Sequence, residues 1–139
     1  MNKLSASQIY KINCRILGTE VNFNEMDEDF KNSLKDIAFS PYEQDEKFFY
    51  LYRDTVAKAA KLSCDIATIK PFEKSNTKTA LFTALVLLQI NQINTKESYQ
   101  DDLPTFLAAL EDGNFEQIED WLREHTQDRF AMVIDEPDF

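Results

Sequence analysis

Ile69-Lys70-Pro71-Phe72-Glu73-Lys74-Ser75-Asn76-Thr77-Lys78-Thr79-Ala80-Leu81 joins two helical patterns through a short polar loop. Upstream, Leu62, Ile66 and Ile69 keep helical spacing until Pro71, which pushes the residue before it out of helical geometry. Downstream, Leu81, Phe82, Ala84, Leu85, Val86, Leu87, Leu88 and Ile90 make a helix from Thr77 to Ile93 that is apolar almost all round. A helix of that kind in a water-soluble domain belongs at its centre. The loop therefore opens the central helix, and a helix N-terminus offers free amides and a positive dipole end to an anion. Lys70, Lys74 and Lys78 gather there in an otherwise acidic chain, with Ser75, Asn76 and Thr77 as small polar neighbours.

Working outward, Ser5 and Ser7 are candidate caps for a first helix carrying Ile9, Ile12, Cys14 and Ile16 and ending at Gly18. Thr19–Asn24 reads as a short extended or hairpin segment. Phe30, Leu34 and Ile37 mark an acidic second helix stopped by Ser40-Pro41. Phe48, Tyr52, Val56 and Ala59 fall on one face of a third helix that runs on toward the loop. Asp101 or Asp102 caps a helix with Pro104 in its first turn and Leu103, Phe106, Leu107 and Leu110 at helical spacing; Gly113 closes it. Phe115, Ile118, Trp121 and Leu122 form the last helix, with His125 expected at its surface. The fold class is all-α: residues 1–134 make one compact helical domain around a central buried helix, and 135–139 an acidic tail.

Composition agrees. Eleven Phe supply a core, while two Gly and four Pro leave little material for tight turns. A net charge of −10 disfavours general binding to nucleic acid or anionic membrane. The longest apolar run, Ala80–Ile90, is too short to span a bilayer, and Met1–Tyr10 lacks a signal-peptide core. The expected location is the cytoplasm, where Cys14 and Cys64, far apart in sequence, stay reduced.

The loop resembles the Fic/Doc signature HxFx(D/E)GNxR, and is closer to its Doc (death-on-curing) branch, roughly HxFx(D/N)(A/G)NKRTAL. Phe72, Asn76 and Thr79-Ala80-Leu81 match outright, and Lys78 stands where that family has Arg. The order of the flanking helices is similar to that family over most of the chain. The resemblance implies a helical fold and transfer of a phosphate-containing group from a nucleotide, with Mg²⁺, to a protein hydroxyl. It also implies a protein partner, either an antitoxin or a host factor of translation. By the same resemblance Phe72 anchors the loop, Lys70 occupies the place of the catalytic base, and Lys74, Ser75, Asn76, Thr77 and Lys78 surround the nucleotide phosphates.

The departures fall on the chemistry. Lys70 replaces the motif His, and a lysine ammonium is a poor base at neutral pH. Lys74 replaces the metal-holding carboxylate, so no metal ligand is expected; Glu73, one position earlier, points a different way. Ser75 replaces Gly or Ala and is strained if its φ is positive. Ser63 and Cys64 have no nearby His in sequence to make a nucleophilic site. The reading is a degenerate Fic/Doc-like protein that binds a nucleotide such as ATP, a phosphate group or a protein partner, in a toxin–antitoxin or phage-related setting. Its alternatives are an active transferase with a remodelled site and an acidic interaction module without a nucleotide site.

Overall fold

Local signals in the chain set where its helices begin and end. A computed structural model describes residues 1–20 and 22–128. Six α-helices lie among them: α1 (Ala6–Leu17), α2 (Glu28–Phe39), α3 (Thr55–Ile69), α4 (Asn76–Ile90), α5 (Leu103–Asp112) and α6 (Phe115–His125). Ser5 opens α1 with a reciprocal capping box, accepting from the Gln8 amide at 3.2 Å while the Gln8 side chain accepts from the Ser5 amide at 2.8 Å. Asp27, Asp54 and Asn114 cap α2, α3 and α6 in the same side-chain-to-amide manner. Gly18 and Gly113 end α1 and α5 in the left-handed conformation. At Gly113 a methyl group would also stand 2.6 Å from Thr68 Cγ2 on α3.

The helix α4 packs against α1, α3 and α5, burying Thr79, Ala80, Leu81, Thr83, Ala84, Leu87 and Leu88. It is the central helix, yet Phe82 is 43% exposed and Leu85 and Val86 only half-buried, so one face stays open. Leu34, Leu62, Ile66, Phe106, Leu110, Ile118 and Leu122 complete the core, each fully buried and contributing about 1.5–3 kcal/mol. Phe106 stacks on Trp121 at 4.3 Å, and the indole N–H donates to the Asp102 carbonyl at 3.1 Å.

Three expectations need correction. Thr19–Asn24 forms no hairpin among the described residues: Asn22 caps a 3-10 turn at Phe23–Glu25, and Phe23 packs on Tyr10 with ring centroids 5.6 Å apart. The third helix does not begin near Phe48. The Asp45 carboxylate accepts from the amides of Lys47 and Phe49, folding 43–51 into a small hairpin, and Asp54 starts α3 seven residues later than Phe48 would. His125 is not at the surface. It is buried against the Trp121 ring at 4.4 Å, with Nε2 3.2 Å from Asp102.

The strands β1 (Ile93–Thr95) and β2 (Thr126–Asp128) pair antiparallel, Ile93 opposite Asp128. No helix among the described residues is long and apolar enough to cross a membrane. The expected acidic tail at 135–139 lies outside the described residues.

Candidate functional site

The polar loop sits where the C-termini of α1 and α3 meet the N-terminus of α4, and three anchors hold it there. Phe72 is buried and makes an edge contact with Phe30 of α2 at 5.8 Å, joining an aromatic group with Tyr10 and Phe23. Asn76 closes the loop on itself: its Oδ1 accepts from the Phe72 amide at 3.0 Å and its Nδ2 donates to the Phe72 carbonyl at 2.8 Å. From α1, the buried Asn13 donates from Nδ2 to the Lys74 carbonyl and to Thr79 Oγ1, both at 3.0 Å.

These anchors maintain a strained backbone. Lys70 ends α3 at φ 54°, and Ser75 precedes α4 at φ 63°, both left-handed. Neither is Gly, and such residues persist only where the surroundings over-determine them. Ser75, in that conformation, gives α4 no side-chain cap. The Thr79 amide is the first to bond back, to the Ser75 carbonyl at 2.9 Å. The preceding amides, of Asn76, Thr77 and Lys78, are the free donors that open every helix. Lys70, Glu73, Lys74 and Lys78 are exposed around them, while Ser75, Asn76 and Thr77 are half-buried.

The structure brings Lys74, Ser75, Thr77 and Lys78 to one helix end. It leaves Asn76 committed to Phe72, so the expected phosphate contact through this side chain competes with loop closure. Lys70 lies at the α3 side of the loop with an exposed side chain. His125 sits at the far end of α6, ten residues from its start, or about 15 Å along the axis. The start of α6 is the end near the loop, because Gly113 touches Thr68 in the last turn of α3.

Ser63 is fully buried and donates to the Ala60 carbonyl. Cys64 is buried, its Sγ 3.7 Å from the Gly113 carbonyl, and burial pushes its thiol up. Among the described residues no group of three His, Cys, Asp or Glu side chains is placed to hold a metal ion.

Beside the loop runs a cleft of about 450 Å³ between α1 and α4, floored by Ile12, Ile16, Phe82 and Val86 and rimmed by Arg15 and Lys78. From the sequence these apolar residues read as core, and Arg15 carries no signal of its own there. The signal was available in α4, whose apolar residues cover more of its circumference than its neighbours can. Asn13 does have a sequence signal, since it stands one helical turn from Ile9 on the buried face of α1. Compared with known proteins, the chain matches no family model, no curated protein and no solved structure.

Proposed function

We propose that this chain is a Fic/Doc-like protein that works by binding, with the loop end of the bundle as its working surface. The observation that carries this reading is the uncapped N-terminus of α4, with exposed Lys74 and Lys78 beside it, exposed Lys70 at the α3 side of the same loop, and the Asn76–Phe72 clamp closing the loop. Free amides held in place by the loop's hydrogen bonds, with exposed cations beside them, suit a phosphate group, such as those of ATP. The adjoining cleft favours a protein partner as well: an amphipathic segment with acidic residues would place its apolar face on Phe82 and Val86 and its carboxylates at Arg15 and Lys78. An antitoxin-like protein or a host factor, in a toxin–antitoxin or phage-related setting, is the kind of partner this implies.

Group transfer is the less favoured reading, because the position of the expected base holds an exposed lysine and that of the metal carboxylate holds another. Incubation with labelled ATP, Mg²⁺ and cell lysate tests the choice. Binding without turnover predicts an ATP-dependent rise in Tm that shrinks in Lys78→Ala, with no labelled protein. A labelled protein that disappears with Lys70→Ala would overturn it.

A further inference from the structure

Residues 43–51 lie apart from the loop surface and carry a feature of their own. The Asp45 amide donates to the Phe49 carbonyl at 2.8 Å and the Leu51 amide to the Glu43 carbonyl at 3.0 Å, making a hairpin with Gln44 opposite Tyr50. On its inner face Lys58, buried in α3, donates to the Tyr52 carbonyl and lies over the Tyr50 ring at 4.3 Å. On its outer face Phe49 and Leu51 are 60% and 54% exposed, Leu51 at the margin of a cleft it shares with Phe115, Glu119 and Arg123 of α6. Phe48 at the tip is 79% exposed and left-handed at φ 65°, a turn position that ordinarily takes Gly or Asn. Taking ~200 Å² for a large apolar side chain, the three expose roughly 350–400 Å², the range of the largest apolar patch on a monomer, which is often functional.

The two edges of the hairpin differ. One, Glu43-Gln44-Asp45, carries two carboxylates, a common guard against edge pairing. The other, Phe49-Tyr50-Leu51, carries no charge. Because the Asp45–Phe49 and Leu51–Glu43 bonds flank the Gln44–Tyr50 pair, the Tyr50 N–H and C=O point outward along this bare edge.

We propose that this edge pairs with the same edge of a second copy, about a two-fold axis at Tyr50. The two Tyr50 residues then exchange both backbone hydrogen bonds, Phe49 lies opposite the partner copy's Leu51, and Leu51 opposite its Phe49. The edge is complementary to itself because its two apolar side chains straddle the axis at i and i+2. Phe48 ends the pairing, its left-handed backbone turning each chain away. With Phe48 turned away and the outer faces of Phe49 and Leu51 left open, pairing buries only part of the two patches, well below the ~1,200 Å² of stable complexes, so the dimer is weak and concentration-dependent. Each copy carries −10, so salt strengthens association by screening the repulsion.

Sedimentation equilibrium from 10 μM to 1 mM, in 50 and 300 mM NaCl, tests this on the wild-type chain and two charge variants. The wild type is expected to dimerise, more tightly at the higher salt. F49K/L51K and F49E/L51E should each lose association at least tenfold, with helical circular dichroism unchanged. An equimolar mixture of the two should regain it, since lysines then face glutamates across the axis. A wild type that stays monomeric at 1 mM in 300 mM NaCl overturns the proposal and leaves the edge to a strand of another protein. A dimer that survives in F49K/L51K overturns it as well.

Discussion

Replacing Asn76 by Ala separates two roles that its position allows. The side chain gives one acceptor and one donor to the backbone of Phe72, at 3.0 and 2.8 Å. A net contribution of about 0.5–1.5 kcal/mol per bond gives ~1–3 kcal/mol for the pair. Ala regains a few tenths through helix propensity, so the expected loss is about 1–2.5 kcal/mol, read from urea unfolding as a lower midpoint at constant m. Asn76→Asp sharpens the test. Its carboxylate still accepts from the Phe72 amide, but its second oxygen faces the Phe72 carbonyl with no proton between them. The folded state then favours the protonated acid, raising its pKa there. The lost stability returns as pH falls through that raised value, because the folded state binds the proton more tightly. If Asn76→Ala leaves the urea midpoint unchanged while abolishing the response to phosphate, Asn76 is a ligand and the clamp argument fails.

Other perturbations follow from single observations. Ser75→Gly removes the left-handed penalty of about 1–2 kcal/mol at the cost of ~0.5–1 in unfolded-state entropy, so Tm should rise by a few degrees. Gly113→Ala should cost about 2–4 kcal/mol in chemical denaturation, from φ 65° and the 2.6 Å approach to Thr68 Cγ2. In a Thr68→Ser background, which removes that methyl, the cost should fall to the ~1–2 kcal/mol of backbone strain. The Arg123 guanidinium, bonded to Asp54 at 2.9 and 3.1 Å, holds that carboxyl below its ordinary 3.8. This stability is complete above pH 3.8 and is lost as pH falls through the lower folded value. Asp54→Asn keeps the cap oxygen, and so should flatten that acid limb while costing under ~1 kcal/mol at pH 7, since the pair is half-exposed.

The parts of the fold legible in the sequence are those governed by neighbours a few residues apart. Ser5, Gly18, Pro71 and Gly113 act within one turn, and the helix ends they mark lie where the sequence puts them, whereas the start of α3 and the end of α4, at Ile90 rather than Ile93, do not. The segment at 43–54 was not legible as periodicity. Phe48-Phe49-Tyr50-Leu51-Tyr52 is a continuous apolar run that suits helix and strand alike, and the side-chain hydrogen bonds of Asp45 and Asp54 decide between them. The strands at 93–95 and 126–128 are three residues each and about thirty residues apart, so neither carries a local signal.

At the candidate site the chemistry of each residue was legible and its commitments were not. Asn76 is spent on Phe72, Asn13 reaches the loop from a distant helix, and His125 is drawn inward by Asp102 and Trp121. The last two depend on contacts between segments far apart in sequence, whereas the Asn76 clamp spans four residues and depends on how the loop closes. The strain at Ser75 was legible as a condition, since it required only that the position have positive φ.

On this reading the open end of α4 binds phosphate. Titration of ¹⁵N-labelled protein with inorganic phosphate at low salt, followed by amide resonances, tests it most directly. Saturable shifts confined to Asn76, Thr77, Lys78 and their loop neighbours are expected, weakened in Lys78→Ala. Resonances that stay still up to tens of millimolar phosphate, or that move equally over the whole surface, would contradict it.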